Sequence, residues 1–358
     1  MPKKSPKPPV PKPRGKLGGL RIGISGWTYA PWRGIFFPPG LKQSGELAYA
    51  SRMVNSIEIN GTFYSLQRPT SYAAWHAQTP EGFVFSVKAP RFITHIRRLK
   101  EVRIPLANFF ASGVLRLQEK LGPFLWQLPP SFPYDAGRLE SFFRILPRTT
   151  RAAAALAREH DAHVKLGTWL ETDRDRPLRH ALEVRHPSFK NPEFIALLRA
   201  HRIGLVVADT AGKWPALEDV TADFVYVRLH GQSRLYVSGY TPAAIKAWGE
   251  KVQAWRRGGS PASPHRLTPA PRPAGRPRDV FVYFDNDVKT HAPYDAMTLA
   301  HRLGIGPKVR KPRAAGRVAE EPRNDWPPYG NSTPPVWRGA AISGRPSSSR
   351  GKASAPGR

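Results

Sequence analysis

The chain has 358 residues, 40% of them hydrophobic, enough for one large core or two modest ones. It has no cysteine, which excludes disulfides and thiolate metal sites, and no apolar run reaches the ~18 residues a membrane helix needs. The net charge of +30 resembles a nucleic-acid signature, but most of it sits in three segments rich in Pro, Gly, Ser and Ala.

Residues 1–20 hold six Lys/Arg and no acid, residues 256–278 hold six Arg and no acid, and residues 307–358 hold eleven Lys/Arg against three acids. Such composition predicts two disordered basic tails and a basic insertion. Their expected partner is a polyanion held weakly, non-specifically and in a salt-dependent way, and charge alone says nothing of fold. The first sixteen residues carry six prolines and no apolar stretch, so they do not form a secretory leader. The expected location is cytoplasmic, with no membrane contact.

Between the tails, eight short apolar runs alternate with stretches long enough for a helix. The first strand is predicted at 21–25, followed by a Pro/Gly/aromatic loop and a helix over 41–53. The second, 56–60, leads into a loop and a helix from Pro69, a residue suited to a first helical turn. The third, 83–88, gives way to a long connection with a helix after Leu106. The fourth, 124–128, ends at Pro129-Pro130, which forbids further ladder pairing, and one helix is expected over 138–163. Strand five is placed at 182–186, with a helix from Pro192 to about His201, and strand six at 205–209. Strand seven, 224–230, precedes a helix capped by Thr241-Pro242 and reaching Trp255. Strand eight, 280–286, precedes a closing helix over 293–303. This strand–crossover rhythm predicts one α/β domain over 21–306, a (β/α)8 TIM-like barrel.

In such barrels the active site lies at the carboxyl ends of the strands. Those ends carry Glu58, Asn60, Lys88, Gln127, Glu183, Arg185, His186, Asp209, Arg228, His230, Asn286 and Asp287. Residues two apart share a strand face, so Glu58 with Asn60, Glu183 with Arg185, and Arg228 with His230 should point together. Charges do not belong against apolar helices, so these pairs are expected in the lumen near its mouth. Asp209 also suits a loop cap, Glu183 and Arg185 a structural ion pair, and Lys88 a partner for Glu58. His95 and His186 equally suit loop hydrogen bonds, and Trp27 suits either stacking or loop packing. The chain has no phosphate-binding Gly-rich loop with Lys-Ser/Thr, no His-Glu-x-x-His zinc helix and no Gly-x-Ser-x-Gly elbow. The cofactor is left undetermined.

Several motifs fall in one order over residues 21–305: Gly26-Trp27, the 58–64 run, Val87-Lys88-Ala89 and Thr94-His95. After them come Gln127-Leu128-Pro129-Pro130, the 183–186 run, Arg228-x-His230-Gly231 and the 283–287 run. In these the chain resembles the domain-of-unknown-function 72 family, the YecE-like proteins. The resemblance implies a TIM-like barrel and a site, but no reaction. Asp285 stands where the family commonly shows Asn, and 256–278 reads as an added basic insertion.

Three functions fit these residues. In the first, an enzyme acts on a small polar anion: Arg185 and Arg228 hold the anion, Glu58, Glu183, Lys88, His230 or Asp209 moves protons, and Asn60 and Asn286 orient hydroxyls. In the second, a divalent-metal phosphodiester hydrolase uses Glu58, Glu183, His186, Asp209 and His230 as ligands, though the neighbouring cations oppose a metal. In the third, a non-catalytic protein touches nucleic acid through its tails.

Overall fold

A computed structural model describes residues 17–270 and 276–306. Eight parallel strands close into a barrel in sequence order, the predicted (β/α)8 architecture. They are β1 Leu20–Ser25, β2 Ser56–Ile59, β3 Val84–Lys88, β4 Leu121–Gln127, β5 His180–Glu183, β6 Gly204–Asp209, β7 Phe224–Leu229 and β8 Asp279–Phe284. Around them lie α1 Glu46–Met53, the single turn α2 Gly61–Tyr64, α3 Pro69–Gln78, α4 Arg103–Ala111 and α5 Ala136–Ile145. The chain continues with α6 Thr150–Ala157, α7 Pro192–Ala200, α8 Pro242–Arg256 and α9 His291–Arg302. Among the described residues no helix is long and apolar enough to cross a membrane.

Local chemistry sets the helix ends. Thr241 caps α8 by accepting the Ala244 N–H, Asn191 caps α7 through Glu193 N–H, and prolines occupy the first turns of α3, α7 and α8. The single helix expected over 138–163 is two, α5 and α6. Pro147 lies between them, and its ring and missing N–H stop a continuing helix. Thr149 then recaps the chain by accepting the Ala152 N–H. The helix expected from 41 begins at Glu46, after a tight turn at Gln43–Gly45.

Two boundaries also move. Residues 17–20, read as tail, belong to the body: Leu20 is buried in β1, Gly18 N–H donates to Arg256 O, and Gly19 N–H donates to Asp279. The insertion over 256–278 was expected to be disordered, yet its described residues lie on the barrel. Asp219 accepts from Leu267 N–H, Thr268 N–H and the Thr268 hydroxyl at 2.8, 3.0 and 2.6 Å. Arg278 is buried and donates to Gly259 O at 2.7 Å. The buried Asp219 carboxylate is thus one of the segment's main anchors. Asp219→Ala should leave the barrel folded while making 259–270 the first site cut in limited proteolysis; unchanged cutting there would count against this anchor. Residues 1–16, 271–275 and 307–358, where the rest of the predicted disorder falls, lie outside the described residues.

Strand side chains alternate between helices and lumen. The outer face is apolar: Trp126 of β4, for example, is buried edge-on against Phe142 of α5 at 5.0 Å. Inside the lumen, Leu125, Ala181, Val206, Ala208, Phe224, Tyr226, Phe281 and Tyr283 form a separate core. Serines opposite tyrosines fit that narrow space. Ser56 Oγ lies 2.7 Å from the Tyr283 hydroxyl and Ser86 Oγ 2.6 Å from that of Tyr226. These bonds make a polar spine that rises to the mouth.

Candidate active site

Tyr226 connects the spine to the charged layer above it. Its hydroxyl donates to Glu58 Oε2 at 2.6 Å, and Glu58 in turn grips Arg228 two residues further along β7. Arg228 is fully buried. Its Nε and Nη2 bind the two Glu58 oxygens at 3.1 and 2.8 Å, Nη1 binds Glu183 Oε2 at 2.7 Å, and Nη2 reaches Asp285 Oδ2 at 2.9 Å. The remaining N–H of Nη1 points toward His230 Nε2, 3.4 Å away. A guanidinium has five N–H groups, and here each has a partner. The expectation that Arg228 holds an anion is therefore corrected: it is a hub that clamps three carboxylates.

Glu183 bridges the two arginines. Its Oε1 accepts from Arg185 Nε at 2.7 Å, and Arg185 Nη2 is also 2.7 Å from that oxygen. Burial pushes the Glu183 carboxyl up, but Arg185 and Arg228 outweigh it and hold the group well below the usual carboxylate range. Asp285 behaves likewise: burial raises it, while Arg228 and His230 bring it below that range. His230 sits with Nδ1 2.9 Å from Asp285 Oδ2, in ion-pair range. That nitrogen nonetheless lacks an aligned hydrogen-bond partner, so the contact is one of proximity. Burial first and Arg228 second disfavour the imidazolium. Since Arg228 donates toward Nε2, the neutral ring's proton is assigned to Nδ1, facing Asp285.

Asp287 is the opposite case. Burial and the neighbouring Asp285 raise its carboxyl well above the ordinary value. Its carbonyl accepts the Trp32 indole N–H at 3.1 Å, and the Tyr29 hydroxyl, which donates to Ser25 O, also acts on its carboxyl. Asn60 donates to the same Ser25 oxygen at 3.0 Å. Gln127 is buried at the end of β4, beside Glu183 across the ladder.

Lys88 and Arg185 face the opening. The Arg185 guanidinium lies 3.8 Å from the Trp214 ring centre and is held in plane by Glu183; among the described residues its Nη1 has no hydrogen-bond partner. Lys88 Nζ rests 4.3 Å from the Phe63 ring centre, without an ion-pair partner among the described residues. Burial first and Arg228 second pull its ammonium down to about 8, against the pull of Glu58, Asp285 and Glu183. His95 packs its ring edge-on to the same phenyl at 5.0 Å, with Nδ1 2.8 Å from the Thr94 hydroxyl. Burial, then Lys88 and Arg185, lower His95 to about 3, so it is neutral.

Six predicted residues thus converge: Glu58, Lys88, Glu183, Arg185, Arg228 and His230. Asn60, Gln127, His95 and Asp287 border them. Four others do not join. Asp209 alternates with luminal Ala208, so it points away and binds Ala211 N–H at 3.3 Å and the Tyr240 hydroxyl at 3.1 Å. Asn286 also has the outer parity, its amide spent on Ser238 O and Asp295 at 2.9 Å each. His186 caps a short turn by accepting the Ser188 N–H at 3.2 Å. Trp27 meets Trp75 of α3 edge-on at 5.4 Å. The proposed metal donors are accordingly split between two faces, and no group of three or more His, Asp or Glu able to hold a metal occurs among the described residues.

The sequence reading missed Tyr226, Trp214, Tyr29 and Tyr236, and named Asp285 only as a departure. Tyr226 was legible, because it lies two residues before Arg228 on one strand. Trp214, Tyr29 and Tyr236 arrive on loops, whose path no periodicity records. Tyr236 turns back over His230, ring centres 5.3 Å apart, through a bend at Gly231. There φ is +118° and a Cβ would meet Arg234 O at 2.5 Å, so only glycine fits.

Two surface hollows of about 300 and 350 Å³ lie elsewhere, one beside Arg151 and Leu170, the other around Asn55, Pro80 and Ile305. Neither contains a residue of the charged network. Concavity and chemistry therefore disagree, and the convergent buried charges are the better guide because charge is costly to bury without a purpose.

Comparisons with known proteins agree with the barrel. The family model described as "Protein of unknown function DUF72" matches residues 21–318. The UPF0759 protein YecE of Escherichia coli K12 is 30% identical over 129 residues, 36% of this chain and 44% of that protein, so the match spans less than half of the relative. A DUF72 family crystal structure from Thermotoga maritima has a TM-score of 0.61 at 23% identity, covering 80% of this chain and 99% of the other. One from Enterococcus faecalis has a TM-score of 0.56 at 16% identity, covering 81% and 97%. At these identities the structures speak to fold alone.

Proposed function

Since the chain belongs to the DUF72 family, whose description assigns no reaction, we propose from its own residues that it is an enzyme using acid–base chemistry on a small, polar, anionic substrate. The observation that carries this is the pair of cations left at the mouth. Arg185 is preorganised by Trp214 and Glu183, with Nη1 unspent among the described residues. Lys88, which like Arg185 acts on the His95 ring, has no carboxylate in ion-pair range among the described residues. A planar guanidinium suits a carboxylate or phosphate. A lysine near 8 exchanges its proton close to working pH. In this reading Arg185 holds the anion, Lys88 moves the proton, neutral His95 or the Asp285–Asp287 pair takes the complementary role, and Asn60 and Gln127 orient the substrate. Glu58 and Glu183 become supports, because their oxygens are already engaged by arginine.

The test is a calorimetric screen of small carboxylates and phosphate esters. At least one should bind, and Arg185→Gln should weaken that binding by about tenfold or more, roughly 1.4 kcal/mol. Equal affinity in a folded Arg185→Gln protein would remove Arg185 from the site.

A further inference from the structure

This fold shows what its structural lysines look like. Lys120 donates to His76 O at 2.6 Å and to Thr79 O at 2.7 Å, closing the end of α3, and Lys251 meets Glu218 at 2.6 Å. Each amine reaches an oxygen. Lys88 Nζ reaches none among the described residues, although four charged groups surround it from four strands: Glu58 on β2, Glu183 on β5, Arg228 on β7 and, just past β8, Asp285. The three carboxylates are bound to arginines, and among the described residues none lies in ion-pair range of Nζ. Nζ also lies over the Phe63 ring, and His95, whose Nε2 has no partner among the described residues, touches that same ring. An amine placed for ion pairing would reach a carboxylate; this one is set against an apolar wall beside a neutral imidazole.

Resting on the reading of the mouth given above, we propose that Lys88 is a nucleophile that forms an imine with a small oxo acid or phosphorylated carbonyl compound whose anion sits on Arg185. The Nζ lone pair attacks the carbonyl carbon, a C–N bond forms, and the C=O π electrons move to oxygen, which takes up the first of the two protons that the amine nitrogen gives up. The resulting carbinolamine loses that oxygen as water when a second proton reaches it, and nitrogen releases its proton as the C=N bond forms. Amine and carbonyl thus give imine and water, with no change of oxidation state. His95 Nε2 is the neutral relay for these protons.

The experiment treats the full-length protein with pyruvate and, separately, glyceraldehyde 3-phosphate, in the presence of sodium cyanoborohydride. Peptide mapping by mass spectrometry then locates the reduced adducts. The expected result is labelling at Lys88 roughly tenfold above any surface lysine at neutral pH, because far more of its amine is unprotonated. Lys88→Arg, which keeps the charge, should lose that adduct while retaining its circular dichroism spectrum. Labelling spread evenly over lysines, or no labelling at Lys88, overturns the imine. Calorimetry with pyruvate on the untreated protein separates the two readings. Arg185-dependent binding without trapping discards the imine and keeps the anion site, whereas no binding and no trapping discards both.

Discussion

Arg228→Met is expected to destabilise the barrel by about 3–5 kcal/mol at pH 7, the usual result of stripping the partner from buried charges. The arginine is fully buried and is the common partner of Glu58, Glu183 and Asp285, so its loss leaves three carboxylates in a low-dielectric lumen. The pH dependence fixes the mechanism. Glu183 and Asp285 are held below the usual carboxylate range, so their contribution is full above their unfolded values and is lost as pH falls through the folded ones. In the variant those carboxyls titrate higher, and protonation costs it nothing. The gap between the two proteins should therefore be widest at neutral pH and narrow below about pH 4. Urea unfolding at pH 7 and pH 4 measures it. A variant within about 1 kcal/mol of the parent at pH 7 would show that the cluster is solvated enough to do without its hub.

Lys88→Met should have the opposite sign. Burial lowers the Lys88 ammonium from 10.5 to about 8. The unfolded chain thus binds a proton the folded one resists, and stability rises with pH across that window. The penalty is fully present below pH 8 and absent above 10.5. Allowing for the part-exposed position, removing the charge should add about 1–3 kcal/mol at pH 7, a melting-temperature rise of about 2–6 °C for a domain of this size. That advantage should shrink as pH approaches 10.5. A group kept at a cost to stability is one kept for function. Thermal melts of both proteins at pH 7 and pH 10 decide the matter: a destabilised variant at pH 7 would mark Lys88 as a satisfied structural cation and remove the support it gives to catalysis.

The primary structure determined more of the site than its diffuse motifs promise. Alternation is a local property of extended chain, so Glu183 with Arg185 and Arg228 with His230 were expected to share a face, whereas Asn60 lies one residue past β2 in helical backbone, where alternation no longer applies. Charge then chose the face, since a guanidinium or carboxylate pressed against apolar helices has no partner. The eightfold rhythm of apolar runs and crossovers determined the barrel in the same way.

Asp209 and Asn286 show where that reasoning stops. Both end a strand, as active-site residues do, but β6 and β8 are buried on both faces and read as unbroken runs of Val, Ala, Phe and Tyr. Without hydrophobic alternation nothing in those runs tells the inner parity from the outer, and only closure of the barrel turned Ala208 and Asp285 inward. Three further decisions belong to the tertiary structure. Arg228 exhausted its donors because strands 170, 45 and 57 residues away in sequence brought it three carboxylates. Arg185 kept one donor because a loop laid Trp214 across its plane. Lys88 has no ion-pair partner among the described residues, while its neighbouring carboxylates pair with arginines. The sequence supplied the charges and the faces on which they lie. Which charge satisfies which is settled by competition among groups brought together from distant segments, and that competition exists only in the folded barrel.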